Sequence, residues 1–214
     1  PKQRTIQEMI EELRRLEREA LEVHDMGALL FAAEAAKSVG LLTLLSESYD
    51  VILMNPPYGD MPSKTKEYVR RYYPRTHFDY YAAFVEQAVG LCMSDGYIGM
   101  LTSRTFFLLS WFQKLREEIL WNEAHPDVVL DLGTGVLDVA WAEWAATVLH
   151  KPTQPTPPPP DHRCLFIRLS NYRSEETKRQ AFEETLHSWA RESLHKLVFA
   201  SSLRELAQVP KTRY

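Results

Sequence analysis

Apolar residues recur every three or four positions through the first 45 residues of the chain, which is the spacing of a helix with one buried face. Residues 5–24 place single apolar side chains among glutamates and arginines, whereas residues 26–45 are richer in alanine and leucine. The apolar positions of the first stretch are Ile6, Met9, Ile10, Leu13, Leu16 and Leu21. We predict two helices here, and we treat residues 1–45 as a helical segment of its own.

From residue 46 the pattern changes to short apolar runs separated by helical stretches. Strands are predicted at residues 50–54, 97–101, 127–132, 145–150 and 164–169, and helices at residues 78–91, 112–121 and 173–199. Residues 59–76 are predicted as a loop or an irregular helix. Because strands and helices alternate, the pattern favours an α/β fold in which helices cover a mainly parallel sheet.

Residues 152–160 contain six prolines in nine positions. Proline fixes one backbone dihedral and lacks a backbone donor, so the segment is excluded from helices and from the interior of a sheet. We expect an extended, mobile connection that faces solvent. Since an apolar strand follows it at residues 164–169, we expect the connection to lie within one domain spanning residues 46–170.

Composition places few further limits on function. Of the 214 residues, 45% are hydrophobic and 25% are charged, as in ordinary soluble globular proteins. No apolar run approaches the ~20 residues of a membrane span, so we expect no membrane partner. Two cysteines without metal-ligand spacing favour a reducing, cytoplasmic setting, and the scattered histidines predict no metal site. The net charge of -4 argues weakly against a domain that wraps nucleic acid, but it allows a local basic patch.

Asn55-Pro56-Pro57-Tyr58 directly follows the predicted strand at residues 50–54. This residue set suits methylation of a planar, weakly nucleophilic amine. The side-chain oxygen of Asn55 and the carbonyl of Pro56 can accept hydrogen bonds from the amine, which stabilises the positive charge that develops on its nitrogen. The two prolines hold the loop extended. Tyr58 can then stack on a base that has swung out of its duplex.

Further stretches extend the pattern around this motif. They include residues 78–86 (FDYYAAFVE), 95–106 (DGYIGMLTSRTF) and 145–149 (AATVL). With them the chain resembles the DNA adenine-N6 methyltransferases that use S-adenosylmethionine, and in particular the large single-chain methylases of restriction-modification and BREX-type phage defence. The resemblance covers about residues 26–170. It implies a partial Rossmann-like class I S-adenosylmethionine-dependent methyltransferase fold.

The resemblance also implies roles for individual residues. Its substrate is double-stranded DNA with a flipped adenine, and the catalytic residues are Asn55, Pro56, Pro57 and Tyr58. Asn55, Phe78 and Asp79 would lie at the S-adenosylmethionine site. The roles of two of these residues stay open. Phe78 could instead be an aromatic residue of the core. Asp79 could either orient the loop or cap its helix.

A basic segment follows the motif. Its cationic residues, interleaved with three tyrosines, are Lys64, Lys66, Arg70, Arg71 and Arg75. Beside a flipped base such a segment can contact DNA phosphates and stack on bases. The alternative is a solvated loop whose tyrosines pack on the core.

The family usually places a Gly-rich cofactor loop upstream of the catalytic motif, yet only 49 residues precede Asp50 here and they are helical. Residues 129–135 (VLDLGTG) imitate such a loop, but no acidic residue ends the following strand, so we interpret them as a turn between two strands. We therefore expect a catalytic half that is inactive alone and needs the rest of its parent chain. Residues 171–214 would form a helical tail leading toward a target-recognition region.

Two other functions are compatible with the same residues. The loop would suit any planar amide or amine, so a protein-glutamine or RNA methyltransferase is one alternative. The other is a non-catalytic DNA-binding or assembly module that has lost its cofactor half.

Overall fold

The computed structural model describes residues 6–23, 26–137, 142–190 and 196–208. The chain divides into two compact units, residues 1–48 and 49–214. The first unit contains helices α1 (Ile6–Val23) and α2 (Met26–Leu44), which pack against each other. Both helices lie where the spacing of apolar residues predicts them.

The second unit is built on a six-stranded sheet in the order β1-β2-β4-β3-β5-β6. Its strands are β1 (Tyr49–Met54), β2 (Cys92–Ser103), β3 (His125–Gly133), β4 (Trp144–His150), β5 (Arg163–Arg168) and β6 (Val198–Ser202). Its helices are α3 (Ser63–Tyr72), α4 (Tyr80–Leu91), α5 (Glu175–Ala190) and α6 (Leu203–Ala207).

The direction of each strand decides at which end of the sheet its carboxyl end lies. β1 and β2 are parallel, as are β3 and β5, whereas β4 runs antiparallel between β2 and β3, and β6 runs antiparallel to β5. Four of the six described strands therefore share one direction, which agrees with the predicted mainly parallel sheet. The carboxyl ends of β1, β2, β3 and β5 lie at one edge together with the start of β4, and we call this edge the carboxyl edge.

The two faces of the sheet are covered unequally. One face carries the main core, in which α4 contributes Tyr81 and Val85 and the sheet contributes Ile98 and Leu149, all fully buried. On the other face, α5 covers the β3–β5 side through Ala181 and Phe182, which belong to a second cluster with residues of β3 and β5. At the β1 end of this second face, Leu53 is 80% exposed.

Three elements differ from the prediction. β2 begins at Cys92 instead of residue 97, because the Ser94-Asp95-Gly96 turn signal lies inside a strand whose pairing with β1 is irregular. A Cβ on Gly96 would lie 2.7 Å from the carbonyl oxygen of Asp50, so only glycine allows this approach. The predicted helix at 112–121 is present, but a 3₁₀ turn, Ser110–Phe112, begins it and its central part, Leu115–Leu120, is π-helical. α5 is described to Ala190, and β6 occupies part of the predicted helix.

The proline-rich connection at residues 152–160 is extended and mostly exposed, as predicted. It is nevertheless anchored, contrary to the expectation of a mobile segment. The Thr156 N–H donates to the carbonyl oxygen of Asn122 at 2.9 Å, and the Thr156 carbonyl lies 2.9 Å from Nε2 of His125. Pro158 is buried. Prolines supply no backbone N–H, but the backbone carbonyls of this connection can still accept hydrogen bonds, as the Thr156 carbonyl does from His125 of β3.

Among the described residues, no helix combines the length and apolar character needed to cross a membrane. The same residues contain no cluster of three or more side chains suited to holding a metal ion.

Candidate active site

The Asn-Pro-Pro-Tyr loop leaves β1 at the carboxyl edge. Pro56 is buried and anchors the loop, while Asn55 and Pro57 are exposed. Tyr58 is 38% exposed. The loop has no regular secondary structure because consecutive prolines cannot continue either a helix or a ladder of hydrogen bonds. Side chains of Asn55 and Tyr58 are thus presented to solvent from a rigid base.

The loop turns at Gly59, whose φ of 95° lies in the region that favours glycine. The Gly59 N–H donates to Oδ1 of Asp79 at 3.1 Å. Asp79 precedes α4. Its side chain makes no capping hydrogen bond of normal geometry to that helix, although the N–H groups of Tyr80 and Tyr81 lie near enough to stabilise its charge. Of the two roles left open by the sequence, the contact supports the one in which Asp79 orients the loop.

Burial raises the pKa of Asp79, and the backbone N–H groups of Gly59, Tyr81 and Tyr80 oppose the shift. A carboxyl group with a raised pKa in the folded state costs stability above that pKa, and the cost disappears as pH falls toward its unfolded value. We expect Asp79→Asn, which keeps the acceptor, to equal or exceed the native free energy of unfolding at pH 7. The difference should shrink in acid. Denaturant unfolding at pH 7 and pH 4 measures both.

Asp79→Ala removes the acceptor and should release the loop. A hydrogen bond to a charged group contributes about 1.5–3 kcal/mol, so we expect any methyl-transfer activity that depends on this loop to fall roughly tenfold or more. Asp79→Asn is the matched control and should retain most activity. Equal activity of the alanine and asparagine variants would contradict a role in holding the loop.

Trp144 supports the exposed tyrosine from the side. The ring centroids of Tyr58 and Trp144 lie 4.8 Å apart with an interplanar angle of 82°. Trp144 is 1% exposed, and its indole N–H is buried without a hydrogen-bond partner. This edge-to-face contact fixes the plane of the Tyr58 ring. Sequence reasoning missed Trp144, because the pattern around it indicates only an apolar strand.

A chain of hydroxyl groups lies at the end of β2. The Tyr81 hydroxyl is 3.1 Å from Oγ1 of Thr105, which is 3.0 Å from Oγ of Ser103. Burial raises the pKa of the Tyr81 phenol, so this group stays neutral. These contacts join the first turn of α4 to the end of β2 and so hold two elements of the carboxyl edge in register. The sequence gives no signal for this chain of hydroxyls.

An open groove of about 440 Å³ runs along the sheet to Asn55. Its lining includes Leu53, Leu101, Leu130 and Val148, so its walls are mainly apolar. Asn55 contributes a polar side chain where the groove reaches the carboxyl edge.

The Gly133–Gly135 turn connects β3 to the segment before β4, which confirms the interpretation of residues 129–135 as a turn between strands. Asp131, the acidic residue of this stretch, accepts hydrogen bonds from Arg104 at 3.0 Å and from Ser170 at 2.7 Å. Both carboxylate oxygens are therefore used inside the protein. Asp131 acts as a structural partner of Arg104 at the carboxyl edge.

The four basic residues of α3 all face solvent. They are Lys64, Lys66, Arg70 and Arg71. On the same helix, the rings of Tyr68 and Tyr72 lie 4.6 Å apart and are both more than half exposed. Tyr73 instead packs against a small core cluster and donates to Gln87 at 2.6 Å. The tyrosines of the segment therefore differ, because Tyr73 packs on the core whereas Tyr68 and Tyr72 face solvent.

Arg75 is placed differently from the other basic residues. Its guanidinium is paired with the carboxylates of Glu86 and Glu123, and its side chain is only 27% exposed. Because both neighbouring carboxylates already neutralise it, Arg75 is not available to a phosphate in this conformation. We correct the sequence interpretation accordingly and assign Arg75 to the ion-pair network that joins α4 to the chain before β3.

The Eco57I restriction-modification methylases match residues 2–136 of this sequence, which is more than half of its length. The chain belongs to the Eco57I restriction-modification methylase family. Within this family match lie the Asn-Pro-Pro-Tyr loop, α3, α4, β2 and β3. The resemblance noticed around Asn-Pro-Pro-Tyr is confirmed.

One relative is the adenine-specific methyltransferase PglX of Lacticaseibacillus casei, which is 30% identical over 148 residues. The match covers 64% of this chain and 11% of PglX, so the chain spans only a small part of the length of this relative.

Two solved structures share the fold. One, from Vibrio vulnificus, is assigned as a modification subunit of a type I restriction enzyme, with a TM-score of 0.58 and 16% identity over 75% of this chain and 35% of that one. The other, from Listeria monocytogenes, is assigned as a class I S-adenosylmethionine-dependent methyltransferase, with a TM-score of 0.51 and 21% identity over 76% of this chain and 51% of that one. The predicted class I methyltransferase fold is confirmed.

This family and fold imply S-adenosylmethionine as methyl donor. The residues of this chain fit one side of such a site. Asn55 is exposed at the carboxyl edge, and Phe78 is 53% exposed beside His77. The Asp79 carboxylate already accepts a hydrogen bond from the Gly59 N–H, so Asp79 is better described as a residue that positions the loop. Among the described residues, no Gly-rich turn opens a helix at the carboxyl edge.

Proposed function

We propose that this chain is the catalytic part of a site-specific DNA adenine-N6 methyltransferase that uses S-adenosylmethionine in restriction-modification or phage defence. The observation that carries the proposal is the Asn-Pro-Pro-Tyr loop, which leaves a strand at the carboxyl edge with Asn55 and Tyr58 exposed and Pro56 buried. In open α/β sheets, ligands bind at this edge. Membership of a restriction-modification methylase family supports the same chemistry. Such an enzyme would act in the cytoplasm.

The proposed chemistry needs few groups from the protein. The Asn55 amide oxygen and the Pro56 carbonyl would accept the two hydrogens of the adenine amine and stabilise its developing positive charge. Pro57 would shape the loop. Tyr58 would stack on the flipped adenine, with its ring plane held by Trp144. S-adenosylmethionine supplies the methyl group, and transfer to the amine is a direct displacement that requires no nucleophilic residue of the enzyme.

We further propose that this chain alone is inactive and that the intact parent is needed. The described residues supply only one side of a cofactor site. On β1, Leu53 is 80% exposed. The rest of the parent would complete the cofactor site and, beyond residues 171–214, contribute a target-recognition region.

The test is transfer of a labelled methyl group from S-adenosylmethionine by the intact parent protein to DNA, RNA and protein acceptors. We expect label in DNA at adenine N6. Label in RNA or in protein glutamine would replace the proposal with one of those substrates. A parent that binds no S-adenosylmethionine would instead identify a DNA-binding or assembly module.

The exposed face of α3 is proposed to contact DNA beside the flipped base. Lys64 and Arg71 lie about two helical turns apart on one side of the helix, together with Tyr68, while Val69 anchors the opposite side in the core. Arg70 would add charge on the flank of this face, whereas Lys66 lies nearer the Val69 side of the helix and is paired with Asp60 at 3.7 Å. This arrangement suits phosphate contacts combined with stacking.

Lys64→Ala and Arg71→Ala should each weaken binding of the parent to specific and nonspecific DNA alike. Each should lower the slope of log affinity against log salt by about 0.9, because one phosphate contact is lost. Arg75→Ala is the matched control, since its guanidinium is already paired, and it should change stability without changing the slope. An unchanged slope for both Lys64→Ala and Arg71→Ala would remove α3 from the DNA surface.

A further inference from the structure

Helix α2 carries a stripe of exposed positions that none of the proposed chemistry uses. The stripe consists of Gly27, Leu30, Glu34, Lys37, Leu41 and Leu44, all of them exposed. Their spacing alternates strictly between three and four residues, which is the pattern of a coiled-coil contact line. Val39, on another side of the helix, is 6% exposed. We call these six positions the α2 stripe.

The leucines of the α2 stripe are unusually open to solvent. Leu30 is 67% exposed, Leu41 is 58% exposed and Leu44 is 56% exposed. Between them, Glu34 and Lys37 form an ion pair at 3.0 Å with both side chains 74% exposed. The stripe therefore has an apolar part on each side of a charged centre, which is a pattern that another surface can complement.

The order of these residues makes the stripe complementary to itself. When two copies of α2 run antiparallel about a twofold axis between residues 35 and 36, Leu30 faces Leu41 of the second copy, and Glu34 faces Lys37. Gly27 then faces Leu44, where a small residue accommodates a large one. In each of these pairs the two residue numbers add to 71, so a single twofold axis satisfies all of them. A twofold contact of this kind is the commonest way in which identical chains associate.

A parallel arrangement in register is excluded by the same residues. It would place Glu34 against Glu34 and Lys37 against Lys37 at the centre of the contact, where like charges repel. Charged residues at such positions are known to select the orientation and partner of paired helices. The charge pattern therefore selects the antiparallel orientation.

We propose that the α2 stripe is a homodimerisation surface that pairs with the α2 stripe of a second copy of this chain in antiparallel orientation. The contact joins two leucine pairs on either side of a four-charge centre made by Glu34 and Lys37 of both copies. Each dimer then carries two Asn-Pro-Pro-Tyr loops. This association is independent of the methyl-transfer chemistry, so either proposal can fail without the other.

Cysteine crosslinking of the 214-residue chain tests the pairing and its orientation. Leu30→Cys and Leu41→Cys chains, mixed and oxidised, should form 30–41 disulfides, whereas Leu30→Cys alone should form few. In the antiparallel dimer, the two copies of position 30 are separated by about 11 residues along the axis, or ~16 Å, which no disulfide spans. Native Cys92 and Cys164 are buried and should not interfere. Efficient 30–30 linkage would overturn the antiparallel arrangement.

Charge reversal tests the centre of the contact. Glu34→Lys alone and Lys37→Glu alone should each weaken the dimer at least tenfold in sedimentation equilibrium, and the double variant should restore it. Leu53→Lys, at the exposed part of the sheet, is the control for non-specific association and should leave the dimer unchanged. A chain that stays monomeric at all concentrations, or an equal response to Leu53→Lys and the single reversals, would overturn the proposal.

Discussion

Asn55→Ala in the intact parent enzyme is expected to reduce the rate of adenine methylation by about 100- to 1000-fold, the usual cost of removing one preorganised hydrogen-bonding group that stabilises charge in the transition state. The side chain is exposed on a loop whose backbone is held by buried Pro56 and by the Gly59–Asp79 hydrogen bond. The substitution should therefore leave the fold intact. Methyl-transfer kinetics together with circular dichroism measure both effects.

Two companion variants make this result specific. Asn55→Asp keeps an acceptor oxygen in the same place and should retain more activity than alanine. Asn171→Ala removes an exposed asparagine after β5, which lies four strands away from β1 in the sheet, and it should be neutral. Full activity of Asn55→Ala would exclude the amine-activating role of this residue.

Tyr58→Ala is expected to weaken the complex with a flipped adenine and to lower methylation by roughly 5- to 150-fold, because stacking of a base on an aromatic ring contributes about 1–3 kcal/mol. Tyr58→Phe keeps the ring and its contact with Trp144, so it should remain close to the native enzyme. A fluorescent adenine analogue at the target position reports flipping separately from methyl transfer.

The contrast between these variants distinguishes stacking from other roles of the tyrosine. If the hydroxyl carried the function, Tyr58→Phe would be as impaired as Tyr58→Ala. If the ring only filled space beside Trp144, Tyr58→Ala would lower stability without changing the fluorescence of the analogue. Either outcome would contradict the stacking role.

Much of the fold follows from local patterns. β1, β3, β4 and β5 begin and end close to their predicted positions, because short apolar runs bounded by turn residues are strong signals. β2 was harder to delimit, since the Ser94-Asp95-Gly96 stretch has turn composition but lies inside the strand. Whether such a stretch ends a strand depends on a partner, here β1, that lies far away in the sequence.

The candidate site shows the same division. Its central loop was identified from four consecutive residues, and the sequence left two roles for Asp79, between which the contact with Gly59 discriminates. The sequence treats the basic segment as a whole, either as a DNA contact or as a solvated loop. In the structure, Lys64 and Arg71 are exposed on α3, whereas Arg75 lies after the helix and is paired with two glutamates. A sequence shows that charges are near each other along the chain but not which of them have partners.

By itself, the sequence determined the local geometry on which the proposed chemistry rests, since Asn-Pro-Pro-Tyr at the exit of an apolar strand places hydrogen-bond acceptors beside an aromatic ring through local backbone constraints. Only the tertiary structure decided what surrounds that loop. The insertion of β4 between β2 and β3 brings Trp144 to Tyr58 across 85 intervening residues. Strand order and register arise from packing of the whole sheet, so contacts that depend on them are not encoded in any single stretch of sequence.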